Sequence, residues 1–262
     1  MKVTRLFVDH ALAPDTDLPL AEAQAHYLRH VLRRSDGAEL RLFNGRDGEW
    51  RARLATSGKK GATARLEART REQRPEPDVW LCFAPIKRSR IDLVAEKATE
   101  LGVSVLQPAL TQHTAVERVN VERLRANAVE AAEQTERLSV PEVRAPIDLM
   151  QLLAAWPVGR HLLMCDETGG GPPIADALSR LDDAARTAPW AILIGPEGGF
   201  AATELAAVRR IREVTSVGLG PRILRADTAA LAALACWQAL VGDWRQATPR
   251  LNVDYRTSHM SA

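Results

Sequence analysis

The chain of 262 residues has only three cysteines, Cys82, Cys165 and Cys236, far apart and with no CxxC pair. That excludes a disulfide framework and a zinc ribbon, and fits the reducing cytoplasm. No apolar run is long enough to span a bilayer, and the opening MKVTRLFVDHALAP lacks the apolar centre of a signal peptide, so no membrane association is expected. A metal cluster is also missing. His26 and His30 stand four apart on a predicted helix, as metalloprotease zinc ligands do, but Tyr27 occupies the place of that motif's glutamate. No metal site is expected, and no repeat of fixed period appears.

What is present is ordinary globular composition, 46% hydrophobic and 26% charged, in a chain long enough for two modest domains. The net charge of +2 is unevenly spread: residues 1–74 carry 15 Lys+Arg against 10 Asp+Glu, residues 75–262 carry 20 against 23. The basic excess at the start reads either as a solvated arginine-rich surface or as an electrostatic footprint for nucleic acid.

The first part alternates as β structure does. TRLFV reads as a strand and LAEAQAHYLRHVLRR as a helix carrying Arg29 and Arg33. ELRLFNGRDGEWRARL reads as a hairpin around Asn44-Gly45 and Gly48, and ATARLEA as another strand. A small, β-rich, basic domain over residues 1–73 is therefore expected, followed by the polar linker REQRPEPD. From Val79 the pattern becomes strand and helix in turn: VWLCFAP before SRIDLVAEKATELG, VSVLQP before NVERLRANAVEAAEQTER, HLLMC before PIADALSRL, WAILI before ATELAAVRRIR, and EVTSVGLG before a final helix. Such alternation argues an α/β domain with a mainly parallel sheet, residues 79–245, its helices on both faces, with a flexible tail over 246–262. Ser89 and Asp92 suggest a capping box for the first helix, and Gly102 its stop. The final helix, from Asp227 to about Trp244, is apolar nearly all round, which demands burial on every side, in a core or at a subunit interface.

Two glycine loops follow apolar strands. AILIGPEGGF, residues 191–200, has no lysine and hydroxyl after its last glycine, and Gly195, Gly198 and Gly199 miss the dinucleotide spacing, so a phosphate ligand is not indicated. VGLGPRILRADTAAL, residues 217–231, adds Arg222 and Arg225. Either loop alone is an ordinary turn. Together, at the carboxyl ends of parallel strands, they mark the edge where open α/β sheets bind ligands. DETGGGPP, residues 166–173, is equally a connector or a ligand loop.

LIGPEGGF at 193–200 and LGPRILRADTAAL at 219–231, with RLFV at 5–8, HYLRHVLR at 26–33, KATELGV at 97–103 and EQTERLSVPEV at 133–143, resemble the SPOUT class of RNA methyltransferases. Within it they resemble the family that methylates N3 of a uridine in 16S ribosomal RNA. The resemblance covers residues 3–245. It implies a PUA-like RNA-binding domain in front of a SPOUT-type trefoil-knotted domain, a homodimer, the cofactor S-adenosylmethionine, and 16S rRNA in the small ribosomal subunit as substrate, near its 3′ end. The cofactor-binding residues it implies are Leu193, Ile194, Gly195, Pro196, Glu197, Gly198, Gly199, Leu219, Gly220, Ile223, Leu224, Thr228 and Ala229. The sequence departs from the family at Ala201, where a capping serine is usual and Thr203 is expected to take over, at Glu136 in place of a glycine, and at Asp227 in place of a glutamate.

Uridine N3 lies on the Watson–Crick edge, so the base must be unpaired and turned into a pocket, and its proton must leave. Arg222 and Arg225 are the candidates for stabilising the resulting charge, and Glu197 is the best-placed carboxylate, as a base or as a brace for its loop. Arg5, Arg29, Arg33, Lys87 and Arg88 are candidate phosphate contacts. The competing reading is a non-catalytic RNA-binding ribosome-assembly factor that retains the fold.

Overall fold

A computed structural model of the chain describes residues 3–57, 61–116, 118–166, 168 and 170–246, with the side chains of residues 56, 57, 88 and 89 outside the description. All of the expected tail except residue 246 therefore lies outside the described residues. Five strands form the first sheet: β1 (Thr4–Phe7), β2 (Asp17–Pro19), β3 (Glu39–Phe43), β4 (Glu49–Ser57) and β5 (Gly61–Arg71), in the order β1-β3-β4-β5-β2. β1 and β3 are parallel and the other pairs antiparallel, with Leu42 opposite Trp50 across the expected hairpin. Alternation sends Leu6, Leu40, Leu42, Leu54 and Leu66 to one face, where Leu28 closes the core from α1 (Glu22–His26) and the π turn that continues it. The opposite face carries ion pairs, Arg51 and Arg53 with Glu67 and Arg41 with Glu39.

The second sheet is parallel. Its strands β6 (Val79–Phe83), β7 (Val105–Leu110), β8 (Glu142–Val143), β10 (His161–Cys165), β11 (Trp190–Ile194) and β12 (Val214–Val217) run in the order β12-β10-β11-β6-β7-β8, and the short β9 (Ile147–Asp148) pairs with β7. Near-continuous apolar runs such as VWLCF and WAILI are buried on both faces, as a parallel sheet covered by helices requires. One face packs on α2 (Arg88–Glu100), α3 (Val121–Gln134), α5 (Ile174–Ser179) and α8 (Ala226–Leu240), the other on α4 (Leu149–Ala154) and α7 (Ala202–Val208). The short α6 (Asp183–Thr187) joins α5 to β11.

Two expectations are corrected. Lys87 is the N-cap of α2 and makes no side-chain cap, while Asp92 turns outward from the helix start to take Arg123 (2.5 and 2.9 Å) and Asn127 (3.1 Å) of α3, so the capping box does not form. α8 is not buried all round in the single chain. Ala229, Ala230, Ala233, Leu234 and Trp237 are buried, and Leu231, Ala232, Ala235 and Cys236 on the remaining surface are half-exposed.

The two sheets meet at the end of α3. Arg5 donates to Glu49 (2.8 Å), to the Ala132 carbonyl (2.8 Å) and to the Arg137 carbonyl (2.9 Å), with its guanidinium 4.5 Å from the Phe43 ring centre. Arg137 in turn holds the connecting segment, donating to Glu76 (2.5 and 2.9 Å) and to the carbonyls of Thr99 and Val103. The corner between them is Glu136, with φ of 61°, a left-handed conformation that glycine adopts at less cost. Glu136→Gly should raise the stability to urea unfolding by about 0.5–1 kcal/mol, the cost of holding a β-carbon there less the extra freedom glycine gains on unfolding.

Glu133, at the same junction, accepts a hydrogen bond from the Phe7 amide (2.9 Å). Burial pushes its carboxyl up to about 7, against the opposing pull of that hydrogen bond and of Arg5. Between its ordinary value near 4.5 and about 7, the folded protein holds a proton that the unfolded chain has released. This contribution to stability is complete at low pH and is lost as pH rises through about 7. Glu133→Gln should remove that decline, read as the difference between variant and parent in urea midpoints from pH 5 to pH 8.

Candidate functional site

The loops after β10, β11 and β12 all leave the sheet at its carboxyl edge, and a cavity of about 500 Å³ lies between them. It forms because the chain crosses itself there. The Gly218 amide donates to the Pro172 carbonyl (2.9 Å) and the Ile174 amide to the Gly218 carbonyl (3.1 Å), which fastens the loop after β10 onto the segment leaving β12. A β-carbon on Gly171 would stand 2.5 Å from the Ser216 carbonyl oxygen, so only glycine lets these two main chains approach.

The loop after β11 is braced from its far side. Glu204 is buried, and its two oxygens accept from the amides of Ala201 and Gln112, each at 2.8 Å. His113 donates from Nδ1 to the Gly199 carbonyl (2.9 Å). Thr203 therefore does not replace the missing serine as cap. α7 starts directly after Ala201, with Glu204 reaching back to hold its first turn.

Of the residues singled out by sequence, Ile194, Gly195, Pro196, Glu197, Gly199, Leu219, Gly220, Arg222, Ile223, Leu224, Arg225 and Ala229 line the cavity. Three others do not. Leu193 is inside the sheet between Met164 of β10 and Cys82 of β6, Gly198 faces His113, whose Cβ would lie 3.2 Å from an added β-carbon, and Thr228 is exposed outside the cavity. Sequence reading missed Cys165, Asp166, Thr168 and Phe200, which also line it. The only signal for the middle two was the glycine-rich stretch after β10.

Among the described residues the side chains of Glu197, Arg222 and Arg225 make no hydrogen bond or ion pair, and all three residues are exposed at the cavity's rim. Unpaired charges beside an apolar cavity are available to a ligand. Asp227, by contrast, is engaged by the Thr228 amide (2.9 Å) and lies 3.8 Å from Arg90. Burial pushes the Cys165 thiol up to about 12, away from the reactive thiolate form. Arg5 is buried and fully engaged at the junction, which corrects its expected role as a phosphate contact. Arg29 donates to the Gly61 carbonyl. Arg33 and Lys87 are exposed and unpaired among the described residues, and the side chain of Arg88 lies outside them.

A parallel sheet with this strand order, and a cavity built from self-crossing loops at its carboxyl edge, define a SPOUT-type methyltransferase domain preceded by a PUA-like module. Residues 73–238 match the model of an RNA methyltransferase domain and residues 20–67 that of an RNA methyltransferase PUA domain. Ribosomal RNA small subunit methyltransferase E of Rickettsia conorii is 32% identical over 90% of this chain and 95% of its own length. The chain belongs to that family. The structure of the Neisseria gonorrhoeae member bound to S-adenosyl methionine superposes with a TM-score of 0.82 at 26% identity, covering 93% of this chain and all (100%) of that one. A Legionella pneumophila protein solved with the bound cofactor SAM gives 0.81 at 27% identity, with the same coverage.

Gly220 has φ of +96° with open space around it, so a β-carbon there is penalised by the backbone alone. Gly220→Ala should cost about 1–2 kcal/mol in urea unfolding. An unchanged midpoint would show that this turn does not hold its conformation.

Proposed function

We propose that the chain transfers a methyl group from S-adenosylmethionine to N3 of a uridine near the 3′ end of 16S rRNA in the small ribosomal subunit, acting in the cytoplasm as a homodimer. The observation that carries this reading is the cavity between the glycine loops, with Arg222 and Arg225 unpaired at its rim. Its volume is within the roughly 300–1,000 Å³ of small-molecule sites. Ile194, Leu219, Leu224 and Ala229 offer an apolar slot for adenine, and the main chain of the two loops offers donors and acceptors at its edges. No lysine of the phosphate-loop kind stands among the lining residues, which suits a cofactor without phosphates. When bound, that cofactor supplies an electrophilic methyl group.

The chain's own residues then have two tasks. Uridine N3–H must lose its proton, and the negative charge left on the base must be met by fixed cations in a site poor in water. Arg222 and Arg225 at the rim are the candidates for those cations, and Glu197 on the same rim is the candidate proton acceptor. The PUA-like module and the exposed Arg33 and Lys87 contact the RNA backbone. The half-exposed apolar surface of α8, and Ile223, 88% exposed beside the cavity, support burial against a second copy.

The test is methyl transfer from labelled cofactor to small subunits taken from cells lacking this chain, followed by mass mapping of nucleosides. 3-Methyluridine should appear at one position, and the enzyme should sediment at twice the 28.7 kDa of one chain. Arg222→Ala and Arg225→Ala should each lower kcat by about a hundredfold while affinity for S-adenosylhomocysteine is unchanged. RNA binding without labelled product would instead support the assembly factor.

A further inference from the structure

Asp166 is the first residue after β10, and its amide donates to the Val217 carbonyl (2.9 Å). Its side chain is only 2% exposed. One carboxylate oxygen, Oδ1, is held by the Thr168 amide (2.9 Å) and the Thr168 hydroxyl (2.6 Å). The other, Oδ2, is buried and has no hydrogen-bond partner among the described residues. The nearest cation among them, the Arg209 guanidinium, is 3.8 Å away, beyond hydrogen-bond reach, on a side chain 58% exposed. Gly170 approaches the oxygen closely, and a β-carbon there would come within 3.1 Å of it. A carboxylate pinned by one oxygen and left without a donor at the other is costly unless a ligand supplies one.

We propose that Asp166 Oδ2 accepts a hydrogen bond from a ribose hydroxyl of the adenosine half of S-adenosylmethionine. This rests on the cofactor reading of the cavity. That cofactor offers donors of three kinds: the adenine amine, the ribose hydroxyls and the ammonium of the methionine tail. The tail is zwitterionic and keeps its hydration better at the exposed rim of the cavity than against the buried Asp166. Adenine belongs with Leu219, Leu224 and Ala229. The ribose, between them, presents two neighbouring neutral hydroxyls, the pattern to which a single fixed carboxylate oxygen is well matched.

Calorimetry on the full chain tests it with S-adenosylhomocysteine, 5′-methylthioadenosine, and the 2′-deoxy and 3′-deoxy analogues of the latter. The parent protein should bind one of the deoxy analogues about tenfold or more weakly than methylthioadenosine. Asp166→Asn keeps the volume and an acceptor for Thr168, and should bind the ribo and deoxy forms alike. Retention of the full ribo preference in Asp166→Asn would overturn the proposal, as would a loss confined to S-adenosylhomocysteine, which would assign the oxygen to the ammonium. Should the variant fail to fold, equal affinity of the parent for all three methylthio nucleosides overturns it alone. Failure of the parent to bind any of the four compounds overturns the cofactor reading itself.

Discussion

The contact on which the rest of the site depends is main chain against main chain, residues 171–173 laid across residues 216–218. It is fixed by two backbone hydrogen bonds and by the absence of a side chain at Gly171. Neither loop has enough apolar surface of its own to hold a shape. Once crossed, each becomes the other's support, and the chain leaving β12 must turn up toward the loop after β11. The cavity is what remains between three segments that cannot approach further. Its conformation is thus set by the fold rather than by a ligand, the condition for binding without a large ordering cost.

Around that crossing the charges fall into two classes. Arg5 and Arg137 are each held by a carboxylate and by carbonyls, and removing Arg5 would strand the buried Glu49. Arg222, Arg225 and Glu197 are exposed and unengaged. A sequence cannot distinguish these classes, because an arginine is buried or exposed according to what the opposite element presents. Arg5 lies in a basic segment and reads as a phosphate contact. In the fold it is the pin between the first sheet and α3.

The strands and most helices were legible because apolar runs bounded by glycine, proline and charge are local patterns. The paired loops were legible too, since a turn that must admit a neighbouring backbone can be built only from a few residue types. What escaped was set by partners distant in the chain. Asp92 has the spacing of a cap but finds Arg123 and Asn127 across the helix pair. Thr203 could cap α7, but the buried Glu204 holds that turn together with the Gln112 amide. Leu193 belongs to a motif yet points to the face covered by α4 and α7, because residues alternate along β11 and only its last residue and the loop after it reach the cavity. Asp166 stood in a stretch whose glycines suit a connector and a ligand loop equally, and its unmet oxygen exists only once the crossing is made.

The junction near α3 gives the PUA-like module its bearing on the catalytic edge. Arg5 and Glu133 tie β1 to the last turn of α3, Arg71 donates to the Glu136 carbonyl (2.8 Å), and Arg137 clamps Glu76 in the connecting segment. These bonds converge on one corner, where Glu136 takes a conformation that glycine would adopt at less cost. A connection of polar residues and prolines alone would leave the modules free to reorient. With the corner fixed, the distance from the exposed surface of the first sheet to the cavity is a property of the folded chain. The exposed surface of the first sheet and the carboxyl edge of the second are thereby held at one span and one orientation.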